Sequence, residues 1–304
     1  MNRPAVSPTL GGELQGRFWP MDRLWPLDKV MLAYFGFALV IILVWWRSLP
    51  EAPPLLALHL AGTALLLAAV RYPGPVSWWF RNWYAILYIA FCYKEMQIFI
   101  PAVRHGQDAD QWLADLDYSF WHANPTVWLE RIQTPLLTEY LQVVYTLFVP
   151  VVLLIALLLW KERRFADFQY YAFLITLGFL VSYVGYLLVP ARGPRFLLRH
   201  LQHVPLQGLW FFHAMQGGLD RLESIAYDCF PSGHTELTLL AWWTSRRLGP
   251  SLFWPYFAYT SSIIFATVYL RYHYTIDILA GVAVAAFLFF AGPALYRKLN
   301  QKGV

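Results

Sequence analysis

The sequence is short of charge and short of cysteine. Asp, Glu, Lys and Arg make up 13% of its 304 residues, about half of the ~25% usual in soluble domains. Hydrophobic residues reach 59%. A water-soluble fold has no way to hide that much apolar surface, whereas a bilayer needs it exposed. Two cysteines, Cys92 and Cys229, are too few for a disulfide framework, and their spacing fits no metal-ligand pattern; neither is expected to be chemically active. No repeat of fixed period is present and no polar stretch is long enough for a soluble domain, so one membrane domain over 1–304 is expected. The residues up to Lys29 lack the apolar run of a cleavable signal peptide. With Phe18, Trp19 and Trp25 set among arginines, they read as a segment lying on the bilayer surface. The net charge of +5 is spread between apolar stretches, which marks membrane topology and no nucleic-acid partner.

What is present is a series of long apolar stretches. A helix needs about 20 apolar residues to cross a hydrocarbon core of about 30 Å. Eight candidates lie near 30–46, 53–70, 82–100, 136–160, 166–189, 233–248, 252–270 and 275–296. The expected fold class is therefore an all-α integral membrane bundle of about eight spans, with two extra spans in 30–80 ahead of a core at 81–296. Pro50, Pro53, Pro73, Pro101, Pro135, Pro190 and Pro250 fall at or near the ends, where helices stop. The stretch from Asp108 to Arg131 differs, because Trp112, Leu113, Leu116, Phe120, Trp121, Trp128 and Leu129 alternate with Asp110, Asp115, Asp117 and Glu130. That pattern predicts an amphipathic helix in the interface, broken near Asn124-Pro125. With the N-terminus inside, the inner segments hold 14 Lys and Arg and the outer ones 8, which favours both termini in the cytoplasm.

Three segments on the outer side carry the polar residues that chemistry needs: Pro190-Ala191-Arg192-Gly193-Pro194-Arg195, Phe230-Pro231-Ser232-Gly233-His234-Thr235 and Arg271-Tyr272-His273-Tyr274-Thr275-Ile276-Asp277. Helical hairpins returning to one surface would bring them together. Ser232 and Gly233 ahead of a helix offer a hydroxyl, free amides and the positive end of the helix dipole, which suit a phosphate. Arg192 and Arg195 can add bidentate bonds to its oxygens. His273 and Asp277 are four apart and would share a helix face. The carboxylate can then hold one imidazole nitrogen protonated and leave the other as nucleophile. His234 can hand a proton to the departing oxygen. Lys94 and Glu95 could form an internal pair. Glu139, Asp167 and Glu236 read as packing or hydration devices, and Asp228 could contact a head group. His200, His203 and His213 lack the spacing of a zinc site.

The Pro-Ser-Gly-His run and the His, three residues, Asp run resemble the second and third signatures of the type 2 phosphatidic acid phosphatase superfamily. The likeness continues through Val268-Tyr269-Leu270 and Asp277-Ile278-Leu279-Ala280-Gly281, over roughly residues 80–295. The wider pattern resembles the branch containing inositol phosphorylceramide synthase. The resemblance implies a six-helix core, no metal, no cofactor, a phosphohistidine on His273, Asp277 as its partner and His234 as proton donor. Two positions depart from the family. Its first signature has a Lys seven before the Arg, where this chain has Gly185, and its third has an Arg six before the His, where this chain has Thr267. Arg271, four residues after Thr267, is expected to turn its guanidinium into the same phosphate site.

The function expected from these residues is hydrolysis of a lipid phosphate in the bilayer. The alternative is transfer of a phospho-head group to a lipid hydroxyl. A non-catalytic lipid-binding or transport bundle is the remote third. From Gly233 to Leu248 a helix would span about 24 Å, less than the core, so the site is expected slightly below the outer interface of a bacterial inner membrane.

Overall fold

The computed structural model describes residues 23–223 and 227–301, and they form helices with no strand among them. In chain order the helices are α1 (Pro26–Val44), α2 (Ala52–Arg71), α3 (Pro75–Arg104), α4 (Asp110–Trp121), α5 (Pro125–Trp128), α6 (Pro135–Thr146), α7 (Phe148–Lys161), α8 (Phe165–Leu188), α9 (Pro194–Leu197), α10 (Phe212–Glu223), α11 (Gly233–Ser245), α12 (Pro250–Tyr269) and α13 (Thr275–Asn300). Five of them, α1, α2, α3, α8 and α13, are long and apolar enough to cross a membrane, or six spans with α6 and α7 taken as one broken span. Each of the eight expected stretches is helical, but two of them, α11 at 13 residues and α12, are not among these spans. Outward-facing Leu43, Leu58, Leu87, Phe287 and Phe290 leave an apolar surface that only lipid would cover.

The break between α6 and α7, a bend of 47°, was not expected from the sequence. Its physical cause is Pro150. In a continuous helix the Pro150 ring would collide with the Thr146 carbonyl and leave it without a donor. Pro101 was expected at or near a helix end and lies three residues before the end of α3. One more turn follows it, closed by His105 in the left-handed region at φ 51° with its amide on the Pro101 carbonyl.

α11 is the central helix and packs on α7, α8, α12 and α13. Glycines permit its closest approaches. A Cβ on Gly281 of α13 would lie 2.6 Å from the Ser232 carbonyl, and one on Gly185 of α8 would lie 2.3 Å from Pro231 Cδ. One apolar core joins α1, α2, α3 and α8, and a second joins α7, α8, α11 and α13. Two smaller clusters, around Tyr145–Tyr269–Tyr272 and Leu113–Cys229–Tyr274, sit beneath the end where the three signature segments meet.

The opposite end is tied by ion pairs. Asp167 takes Arg164 at 2.7 Å and also Arg247, while Lys29 donates to the Leu299 carbonyl at 2.5 Å. Arg81, read from sequence as a topology marker, is fully buried. It pairs with Asp28 at 2.5 Å and lies 3.9 Å above the Trp25 ring. Trp25 is thus packed inside, not spread on a bilayer surface; Phe18 and Trp19 lie outside the described residues. Of the adjacent Lys94 and Glu95, Lys94 is exposed, while buried Glu95 meets His59 of α2 at 3.2 Å.

Candidate active site

The three signature segments are stitched together by their own backbones. The Cys229 amide donates to the Ala191 carbonyl at 3.1 Å, Arg195 to Arg271 at 3.0 Å and Ser232 to Asp277 at 3.1 Å. Gly193, at φ 95°, lets the first segment run against the third; a Cβ there would stand 2.6 Å from the Tyr272 carbonyl.

His273 is not on a helix. α12 ends at Tyr269, α13 begins at Thr275, and His273 sits in the turn with its amide on the Thr267 carbonyl at 3.0 Å. The expectation of a shared helix face is therefore replaced by a capping turn. Asp277, three residues into α13, takes the Tyr274 amide on Oδ2 at 2.8 Å, and the same oxygen lies 3.3 Å from His273 Nδ1. An ionised carboxylate there keeps the proton on Nδ1 and leaves Nε2 with a lone pair. His273 is 3% exposed and Asp277 0%.

His234 faces this pair from the first turn of α11. Its ring centroid is 5.7 Å from that of His273, close enough for one phosphoryl group to reach both. Aromatic rings hold it. Tyr145 stacks on it at 4.4 Å, Phe148 lies at 4.4 Å from the other side of the α6–α7 break, and Tyr145 stacks in turn on Tyr272 at 4.3 Å. Tyr145 and Phe148 flank the break and are three apart, a spacing that turns both toward the same imidazole.

The expected phosphate ligands divide. Ser232 caps α11, its hydroxyl accepting from the Thr235 amide at 3.3 Å and the Thr235 hydroxyl at 3.1 Å, and it is fully buried. Gly233 is the first residue of α11, against Tyr186. Arg195 lies over the Tyr272 ring at 4.9 Å and pairs with Asp220 at 3.0 Å, while Arg192 is exposed and lies over Phe196 at 4.5 Å. Arg271 departs from expectation. It is in the left-handed region at φ 68°, beyond the end of α12, so it does not share a face with Thr267. Its guanidinium is held by Glu130 at 2.9 Å, Gln202 at 3.2 Å and the Val204 carbonyl at 2.5 Å. That makes it a strut under the 202–204 loop in this structure. Gly185, where the family signature has Lys, is the contact point for Pro231, so any side chain there would displace the His234 segment.

Sequence reasoning missed three residues. Cys229, set aside as inert, donates its thiol to Asp277 Oδ2 at 2.9 Å or to the Tyr272 carbonyl at 3.2 Å. Asp110 accepts from the Arg192 and Gly193 amides, both at 2.7 Å, and from the Tyr274 hydroxyl at 2.9 Å. Burial pushes its carboxyl above the ordinary range, and those donors pull it part of the way back. Asp117 caps α13 by accepting from the Thr275 amide at 2.8 Å, the Thr275 hydroxyl at 2.7 Å and the Ile276 amide at 2.9 Å. Their signal was in the sequence. Asp110, Leu113, Ala114 and Asp117 are the buried residues of α4, and their spacing places both acids on the apolar stripe. A carboxylate on such a stripe needs donors from elsewhere. Asp228 accepts from Tyr93 of α3 at 2.6 Å. Burial raises its carboxyl, against the pull of Tyr93 and of nearby His273 and Arg195. Glu139 is more than a hydration device. Its carboxylate takes the amides of residues 209 to 212 at 2.8–3.3 Å.

A bundle of long apolar helices with two histidines and an aspartate gathered at one end defines the class: a multi-pass membrane protein. The chain belongs to the PAP2 superfamily, whose family model matches residues 111–291. A PA-phosphatase related-family protein of Dictyostelium discoideum is 29% identical over 121 residues, which are 39% of this chain and 22% of that protein. The chain thus spans about a fifth of the length of that relative. No solved structure matches. The matched region opens within α4 and leaves α1, α2 and α3 outside it.

Proposed function

We propose that this chain hydrolyses a phosphate ester of a lipid through a phosphohistidine on His273. The observation that supports it most is the pairing of an Asp277-held imidazole with a second imidazole 5.7 Å away. Nε2 of His273 attacks phosphorus as the bond to the lipid oxygen breaks, and His234 gives that oxygen its proton. Water then attacks the phosphohistidine with His234 taking its proton, which releases phosphate and restores Nε2. Arg195, Arg192 and the Gly233 amide are the proposed donors to the phosphoryl oxygens as charge develops. The α11 helix, at 13 residues, spans only about 20 Å. A site at its start is therefore sunk below the interface, level with a lipid head group arriving from the side.

The test is the fate of the labelled intermediate. Protein quenched in alkaline detergent after exposure to a labelled lipid phosphate is expected to carry base-stable, acid-labile label on His273. On dilution the label is expected to leave as free phosphate at one rate, with or without added diacylglycerol or ceramide. Decay that requires an acceptor lipid would replace hydrolysis with head-group transfer.

The proposal includes a site facing away from the cytoplasm, supported by the excess of Lys and Arg at the opposite end. Both native cysteines are buried and can stay in place during labelling. A cysteine at exposed Asp108 is expected to react with an impermeant thiol reagent in intact cells, and one at exposed Gln301 only after lysis. Labelling of Gln301→Cys alone in intact cells would invert the topology.

A further inference from the structure

Cys229, His273 and Asp277 offer three different donor atoms to one point. Sγ lies 3.6 Å from Nδ1 and 2.9 Å from Oδ2, and Nδ1 lies 3.3 Å from Oδ2. All three residues are buried, and they form the one such trio of potential metal ligands among the described residues. Zinc ligands at about 2.3 Å for sulfur and about 2.0–2.1 Å for nitrogen and oxygen, set tetrahedrally, stand about 3.3–3.6 Å apart. Two of the three separations already fit, and the third needs Sγ and Oδ2 to part by about 0.6 Å. Asp277 Oδ1 is also buried with no hydrogen-bond partner, so the carboxylate can rotate to offer either oxygen.

We infer that Cys229, His273 and Asp277 form an inhibitory site for a thiophilic divalent cation of the zinc class. The thiolate selects such an ion over magnesium or calcium, which take oxygen ligands. Binding releases the thiol proton to solvent, and the metal takes the Nδ1 lone pair of His273. The imidazole proton then resides on Nε2, because a neutral imidazole carries one proton and the metal occupies the other nitrogen. Nε2 has no lone pair left for phosphorus. The ion thus inhibits by selecting the wrong tautomer, without covering the phosphate site. The inhibitory consequence rests on the reading of His273 as the nucleophile; the binding does not.

Cobalt(II) serves as the optical probe and zinc(II) as the inhibitor, on the full chain in detergent. Wild-type protein is expected to show a cobalt–thiolate charge-transfer band in the near ultraviolet, displaced by zinc. The band is expected to vanish in Cys229→Ala and Cys229→Ser while Cys92 remains. Activity is scored as the ratio with and without zinc, so a basal loss in either variant does not matter. Each variant is expected to need at least ~10²-fold more zinc for half inhibition, since changes even one bond beyond a metal ligand cost about 10–100-fold. Absence of the band in folded, active wild-type protein would overturn the site, as would unchanged zinc sensitivity in both variants. A band that persists in a chain with no phosphatase activity would leave the site standing and remove the catalytic reading.

Discussion

His273→Ala is expected to abolish turnover, by on the order of 10⁵-fold or more, with helix content and thermal unfolding in detergent nearly unchanged. Loss of a covalent nucleophile removes the whole reaction path, and its partners cannot act alone. Lipid phosphate binding should survive, because the proposed donors Arg192, Arg195 and the Gly233 amide belong to other segments. Asp277→Asn should be severe but leaky: an amide can still take the Tyr274 amide, yet no longer holds the imidazole in one tautomer. His234→Ala separates the two histidines. It should cost roughly 10²–10⁴-fold with alkyl phosphates, the range of general acid catalysis, and much less with an aryl phosphate whose leaving group needs no proton. Rates compared across a leaving-group series check this. Full activity in His273→Ala, or equal losses for both ester types in His234→Ala, would reverse the assignments.

Asp110→Ala is expected to lower kcat by roughly 10²-fold while moving the unfolding temperature by only a few degrees. The Asp110 carboxylate meets two amides of the 192–193 turn and the hydroxyl of Tyr274, the residue next to His273. Removing it strands three donors in a buried place, each costing about 1–3 kcal/mol if left unpaired. The turn will shift to find water before it bears that cost, and an imidazole misplaced by about 1 Å is enough for a 10²-fold loss. Asp110→Asn keeps one acceptor oxygen and should recover part of the rate. The measurement is single-turnover formation of phosphohistidine beside an unfolding curve. A drop in stability that accounts for the whole loss of rate would reduce Asp110 to a structural role.

The meeting of His234, His273 and Asp277 was legible because each lies in a contiguous run whose residue types make sense only together. The amphipathic stretch from Asp108 to Arg131 was legible too, down to its break before Pro125, because the alternation of acids and aromatics is local. What escaped was set by distance along the chain. Asp110 and Tyr274 are 164 residues apart, and Asp117 and Thr275 are 158 apart. No local pattern can announce such a bond, though acids on an apolar stripe pose the question. Cys229 escaped because one cysteine has no spacing to read. The expected shared face of Thr267 and Arg271 failed for a different reason: it required α12 to continue to residue 271, and the helix ends two residues earlier. The broken α6–α7 span was readable from Pro150 alone, but hydropathy runs straight through it.

The bonds from α4 also fix when during synthesis the site can assemble. Asp110 and Asp117 leave the ribosome first, and the groups they will hold at 274–276 follow some 160 residues later, about 10–30 s at translation rates of about 5–20 residues per second. Until α13 is made, Asp277 is absent from beside His273, Asp110 lacks Tyr274, and Asp117 lacks both residues it holds. A chain partway through insertion therefore has no assembled site, however many of its earlier helices are in place. The site has to wait for α13.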